Sequence, residues 1–363
     1  MNNDLFSPIQ LGDLTLNNRI VMPPMTRSRA KNGCANAIMA EYYAQRAEAG
    51  LIISEGTQIS QLGQGYAWTP GIYSSEQIQG WKLVTDAVHA KGGKIFAQLW
   101  HVGRVTHPSN TGGVQPISSS AQAAKGVKVF IDEENQPNFV DTVLPRAMTH
   151  DDIAQVKNEF HQAALNALEA GFDGVELHAA NGYLVNQFID SEANLRTDEY
   201  GGSTENRLRF LGEVVDQLVA VVGKERVGVR LAPFTCLNGT VDSDPEVTYI
   251  EAAKLLNRKG IGYIHIAEVD WDDAPDTPVS FKQNLRQAFD QTIILAGKYN
   301  PEKAQQALEQ GFADMVAFGR PFVANPDLVT RIKNQYPLAE HNPETLFGGA
   351  EQGLTDYPVY SEA

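Results

Sequence analysis

Only two of the 363 residues are cysteine, Cys34 and Cys236. So few thiols suit a reducing cytoplasm and cannot supply the thiolate set of a zinc or iron–sulfur site. Neither is expected to act chemically, because a reactive cysteine needs an electropositive setting. Positive charge is also scarce: 29 Lys and Arg stand against 44 Asp and Glu, a formal net charge of -15. That balance lacks the clustered basic footprint of a nucleic-acid-binding surface, so no nucleic-acid partner is expected. No apolar run approaches the roughly 20 residues that cross a bilayer, and no basic-then-apolar stretch opens the chain. The expectation is therefore a cytoplasmic protein with no membrane partner. No G-x-G-x-x-G follows a strand-like run, which removes a Rossmann nucleotide site.

What is present is an alternation. Hydrophobic residues make up 42% of the chain, enough for a sizeable core. Residues 9–16 alternate apolar and polar around the turn pair Gly12-Asp13 and read as a small hairpin. Strand-like runs then follow at 19–22, 51–54, 94–99, 173–177, 226–231, 263–267, 292–296 and 314–318. Between them lie helical patterns over 36–49, 79–91, 153–167, 208–222, 248–259 and 301–310, several closed by glycine. Residues 103–148 break the rhythm. They are rich in Ser, Gly and Pro and are expected to form a capping excursion that contains a hairpin. Eight strand-then-helix units over one length of 1–363 fit a closed (β/α)8 TIM barrel, an α/β fold, better than an open doubly wound sheet.

In such a barrel the chemistry lies at the carboxyl ends of the strands. Those ends carry Thr26, Gly56, Gln98, Trp100, His178, Asn181, Tyr183, Arg230, Gly297, Gly319 and Arg320. The densest stretch is 171–210, where a short buried strand delivers His178, Asn181 and Tyr183 within six residues. Paired carboxylates, a Ser–His–Asp order and a Schiff-base lysine are all absent from these ends. His178 and Asn181 have no acidic neighbours at ligand spacing, so no metal is expected. Gly297, Gly319 and Arg320, at the ends of strands seven and eight, suit a phosphate: glycine lets backbone N–H groups approach, and Arg supplies a planar fork. That feature alone says only that the ligand is phosphorylated, either a sugar phosphate or a flavin mononucleotide.

Longer motifs decide between them. HAANGYL at 178–184, NLRTDEYGGS at 194–203 and ENR at 205–207 resemble the Old Yellow Enzyme family of FMN-dependent ene-reductases. NRIVMPPMT at 18–26, QLWHVGR at 98–104 and FGRPF at 318–322 carry the resemblance along the chain. It is strongest toward the bacterial branch of N-ethylmaleimide reductase and pentaerythritol tetranitrate reductase. Two cysteines cannot hold the iron–sulfur cluster of the relatives that reduce dienoyl thioesters.

The resemblance implies a non-covalent FMN whose phosphate meets Gly297, Gly319 and Arg320. It places Arg230 and Gln98 at the flavin pyrimidine edge, the Thr26 hydroxyl at O4, and the backbone of Pro24, Met25 and Gly56 along the ring. His178 and Asn181 would hold the oxygen of an activated alkene, and Tyr183 would protonate its α-carbon. Tyr66, Trp100, Trp271 and Phe347 would wall the substrate pocket. The implied activity is ping-pong: NADPH or NADH gives hydride, and an α,β-unsaturated carbonyl, maleimide or nitroalkene, perhaps extending to nitrate esters, receives it. The partner is thus a small molecule, and the chain is expected to be a monomer. Two alternatives stay open at this point. A colourless protein would point to a sugar-phosphate aldolase or isomerase, and a yellow protein that NADPH does not bleach would point to a non-catalytic flavin binder.

Overall fold

The computed structural model describes residues 4–268 and 276–361. Eight parallel strands form the barrel: β1 (Ile20–Met22), β2 (Leu51–Ile53), β3 (Ile95–Trp100), β4 (Gly174–His178), β5 (Val227–Leu231), β6 (Tyr263–Ala267), β7 (Thr292–Ala296) and β8 (Met315–Ala317). The sheet closes because every strand has two neighbours. β4 pairs with β3 through Glu176 and Gln98, and β8 returns to β1 through Val316 and Ile20. The expected α/β barrel is thus the fold observed.

Side chains alternate across each strand, which splits the apolar residues into two cores. Val175, Leu177, Val229, Ile264 and Leu295 point outward and pack under the helices. Val21, Leu51, Phe96, Tyr263, Ile294 and Met315 point inward. The foot of the barrel is plugged by the hairpin Ile9–Leu11 with Leu14–Leu16, which adds Leu11, Leu14 and Leu16 to that inner core. Two glycines make room for its rings. A Cβ at Gly174 would lie 2.4 Å from the Phe96 ring, and one at Gly228 would lie 2.0 Å from the Tyr263 ring.

The outer layer is α1 (Ala37–Gln45), α2 (Ser75–His89), α3 (His150–Glu169), α4 (Arg209–Val222), α5 (Pro245–Lys259), α6 (Val279–Ala288) and α7 (Pro301–Glu309). Capping boxes start two of them, Ser74 with Gln77 and Thr149 with Asp152, and such caps stabilise by about 1 kcal/mol each. The structure departs from expectation at several helices. The helix expected over 36–49 stops at Gln45, because buried Arg46 turns to donate to the Phe322 and Val323 carbonyls. Helix α6 has no counterpart in the sequence reading, nor do the short helices Gly319–Ala324 and Leu328–Asn334.

The 103–148 excursion contains the antiparallel hairpin Lys128–Glu133 with Gln136–Asp141, and Ile117–Ser118 pairs with Arg146–Ala147 at its base. The C-terminal segment folds back over the strand ends. All five N–H groups of Arg29 are spent on backbone carbonyls, those of Arg27, Thr345, Leu346, Ala350 and Gln352. That ties the tail to the loop that follows β1.

Candidate active site

The inward face of the barrel changes character toward its carboxyl end. Above the apolar plug, alternation carries Gln98 and Trp100 on β3, Glu176 and His178 on β4, Arg230 on β5 and His265 on β6 into the same space. Register brings them level: Glu176 lies opposite Gln98, His178 opposite Arg230, and Arg230 opposite His265. All are buried. Buried polar groups are costly unless hydrogen-bonded, and the bonds within this layer gather on Glu176. Glu176 takes Gln98 Nε2 on Oε1 at 2.8 Å, and on Oε2 it takes the Tyr263 hydroxyl at 3.0 Å and His265 Nδ1 at 2.9 Å.

Above this layer stands an aromatic column. The indole of Trp100 has the Tyr66 ring at 5.9 Å and 24° and the His178 ring at 6.0 Å and 19°. Tyr183 meets both Trp100 and His178 edge-on at 4.9 Å. Its hydroxyl lies 3.2 Å from that of Tyr66. Gly56 belongs to the same arrangement, since a Cβ there would lie 2.4 Å from Trp100 Cε3. The missing side chain is therefore demanded by the indole.

His178 Nδ1 accepts the Ala180 backbone N–H at 3.3 Å, which leaves the ring proton on Nε2 as a donor. Burial first, then the charges of Arg230 and His265, hold its pKa well below the ordinary histidine range. The ring is neutral at physiological pH. Asn181 and Gly182 follow with φ of 57° and 76°, a left-handed pair that reverses the chain within two residues. Asparagine tolerates that conformation better than most side chains. The turn is pinned by Asn238 Nδ2, which donates to the Asn181 carbonyl at 2.8 Å. It delivers Tyr183 to the start of the short helix Leu184–Ile189. There Gln187 knits two loops, donating to the Val102 and Gly182 carbonyls and accepting from Ser118.

The other expected positions spread around this centre. Pro24, Met25 and Thr26 form the loop after β1, with Pro24 buried and the other two half-buried. Gly297 is a half-buried bend after β7. Gly319 and Arg320 open the helix after β8, and a Cβ at Gly319 would touch only Met25 Sδ and Pro23 Cγ, both at 3.8 Å. No neighbour forces glycine there, so the position suits close approach by a ligand. His341 in the tail feels the positive field of the same corner: after burial, Arg320 and Arg27 lower its pKa. Phe347 is 58% exposed and has no ring contact with the aromatic column. Trp271 lies outside the described residues.

The sequence reading missed Glu176, Tyr263, His265 and Gln187. A signal was available for three of them: a Glu inside the strand GVELH, inward by parity with His178, and a Tyr and a His at alternate positions inside the otherwise apolar strand YIHIA. The motif stretch from Asn194 to Arg207 braces the loop after the helix Leu184–Ile189. The Asn194 amide donates to the Phe188 and Tyr200 carbonyls, and Arg207 donates to that of Ile189.

The donor set suits FMN. A neutral imidazole and a Gln–Arg pair lie at neighbouring strand ends, with a glycine-plus-arginine corner after β8. Comparisons with known proteins agree. A model of the NADH:flavin oxidoreductase / NADH oxidase family matches residues 4–339. The chain is 42% identical to 12-oxophytodienoate reductase 1 of Oryza sativa subsp. japonica over 99% of this chain and 93% of that one. Among solved structures, morphinone reductase in complex with tetrahydroNAD superposes with a TM-score of 0.96 at 48% identity, covering 99% of this chain and 98% of the other. The Old Yellow Enzyme homologue of Zymomonas mobilis gives 0.93 at 44% identity, covering 98% of this chain and 100% of its own.

Proposed function

The chain belongs to the NADH:flavin oxidoreductase / NADH oxidase family, of Old Yellow Enzyme type, and from that premise we propose that it is an NAD(P)H-dependent ene-reductase. Its substrates are α,β-unsaturated carbonyls, maleimides and nitroalkenes. The observation that carries the reading is the neutral His178, with its proton on Nε2, beside Tyr183 at one strand end.

FMN, when bound, would supply the hydride chemistry that links the nicotinamide to the alkene β-carbon. Gly297, Gly319 and Arg320 would hold its phosphate, Gln98 and Arg230 its pyrimidine edge, and Thr26 with Pro24, Met25 and Gly56 its ring. His178 Nε2–H and the Asn181 amide grip the substrate oxygen and stabilise the charge that develops there. An amide and a neutral imidazole both keep their protons across the working pH range, so this grip does not depend on histidine ionisation. Tyr183 delivers a proton to the α-carbon, and its hydroxyl partner Tyr66 orients it. Trp100 and Tyr66 exclude water from that face. The sequence carries no G-x-G-x-x-G after a strand, which supports nicotinamide and alkene taking turns in one pocket.

Phenols test the oxygen grip, since they bind where an enolate-like oxygen would. Purified protein should be yellow and should gain a long-wavelength charge-transfer band with a para-substituted phenol. His178→Ala should weaken that binding at least tenfold, the worth of one buried hydrogen bond. Unchanged phenol affinity would remove His178 from the role, and colourless protein would favour a sugar-phosphate enzyme.

A further inference from the structure

Nothing above gives Glu176 a task, yet three side-chain donors converge on it in the barrel interior. It is fully buried, and three side chains converge on its two oxygens. Each of the three comes from a different position: Gln98 on β3, and Tyr263 and His265 on β6, 78 to 89 residues away along the chain. A carboxylate that receives donors on both oxygens offers acceptors only.

That has a consequence for Gln98. A primary amide presents a donor at one end and an acceptor at the other, and the two can exchange by a half-turn about its last bond. At 2.8 Å from Glu176 Oε1, the exchanged amide would set a carbonyl oxygen against a carboxylate oxygen. Two acceptors at that distance repel, and in a buried site no water screens them. The Gln98 nitrogen must therefore face Glu176, which turns its carbonyl oxygen away. The backbone N–H of Gln98 is anchored on Ser54 Oγ at 3.0 Å, so the strand cannot shift to relieve the conflict.

We propose that Glu176 is a positioning residue that sets the polarity of the Gln98 amide, so that Gln98 meets the flavin with its carbonyl oxygen as acceptor. The inference rests on the flavin reading above. The pyrimidine edge of a flavin carries an N3–H donor flanked by two carbonyls. Gln98 oriented in this way accepts from N3–H, while Arg230 is left to donate to a neighbouring carbonyl. The rest of the layer serves to hold Glu176 itself. Tyr263 reaches it only because Gly228 has no side chain, and burial beside Glu176 holds the phenol protonated as a donor. His265, bonded through Nδ1, is a second fixed donor.

Glu176→Gln is the test, because Gln at 176 can meet either end of the Gln98 amide and removes the constraint without changing volume. FMN affinity measured by fluorescence quenching should fall about tenfold, one oriented hydrogen bond's worth. With 15N-labelled FMN, the N3 resonance should move toward its value in an aprotic solvent. An unchanged N3 resonance, whether or not affinity falls, overturns the inference, because loss of packing alone would not move that signal selectively. Wild-type protein that takes up no FMN overturns the flavin reading and this inference with it. Neutron diffraction of the wild-type complex answers even if the variant does not fold. The Gln98 deuterons should point to Glu176 and its oxygen to N3, and the reverse orientation overturns the proposal.

Discussion

Tyr183 sits at the N-cap of the helix Leu184–Ile189 and contributes no capping hydrogen bond from its side chain. Ser, Thr, Asp or Asn would serve that backbone better by about 1 kcal/mol. The stability forgone is the mark of a side chain placed for another purpose, and its hydroxyl instead meets Tyr66 at the head of the aromatic column. Tyr183→Phe should therefore leave folding stability within about 0.5 kcal/mol. In stopped-flow experiments flavin reduction by NADPH should keep its rate, while turnover of cyclohexenone slows on the order of 100-fold. Equal slowing of the two half-reactions would contradict the proton-donor role.

Glu55 is a second residue whose position outweighs its comfort. It follows β2, is fully buried, and accepts a long 3.3 Å bond from the Arg27 backbone N–H, with the Ser28 backbone N–H as a second donor. Burial pushes its pKa up to about 7, against the opposing pull of Arg27 and Arg29. A carboxyl whose pKa is higher in the folded state than in the unfolded chain favours folding while protonated. Its contribution is complete below about 4.5 and is lost as pH rises through about 7. Glu55→Gln mimics the neutral form at every pH. Urea unfolding should show the wild type losing on the order of 3 kcal/mol relative to the variant between pH 4.5 and 8. Taking the difference removes the opposite trend from the histidines His178 and His101, whose pKa values burial lowers. Parallel stability curves would show that Glu55 ionises freely.

At the level of elements, the loops after β2, β3 and β4 form one packed unit. Trp100 lies on Gly56, Tyr66 and His178 at once. Gly56→Ala drives a methyl to within 2.4 Å of the indole and is expected to cost about 1 to 3 kcal/mol as overpacking. It should also weaken phenol binding, because the indole that moves is the one stacked on His178. An unchanged melting temperature would mean that the indole can yield freely. Much of this level was legible in advance. The strands came from apolar runs closed by glycine or proline, and the ends they mark gave His178, Asn181, Tyr183, Gln98 and Arg230. Helix α6 was not legible, because the Asp- and Pro-rich run before it masks the spacing of Phe281, Leu285 and Ala288. The early stop of α1 was hidden too: Arg46 reads as a good helix former until the distant carbonyls of Phe322 and Val323 are in place.

The whole molecule adds what no single element holds. Glu176 in a strand looks like an error of patterning until closure of the barrel brings Gln98, Tyr263 and His265 to it from strands on both sides. A polar layer of that kind is written in residues that are distant along the chain, so only the folded topology reveals it. Closure also places the apolar plug below, the donors in the middle and the aromatic column above, along one axis. The central claim is a flavin held at this end of the barrel that cycles between nicotinamide and alkene. The direct measurement is an anaerobic titration of the yellow protein with NADPH, followed by addition of 2-cyclohexenone. The account predicts that the flavin absorbance bleaches with NADPH and returns when the enone is added. A flavin that NADPH leaves coloured, or one that bleaches and is not restored by the enone, would contradict it.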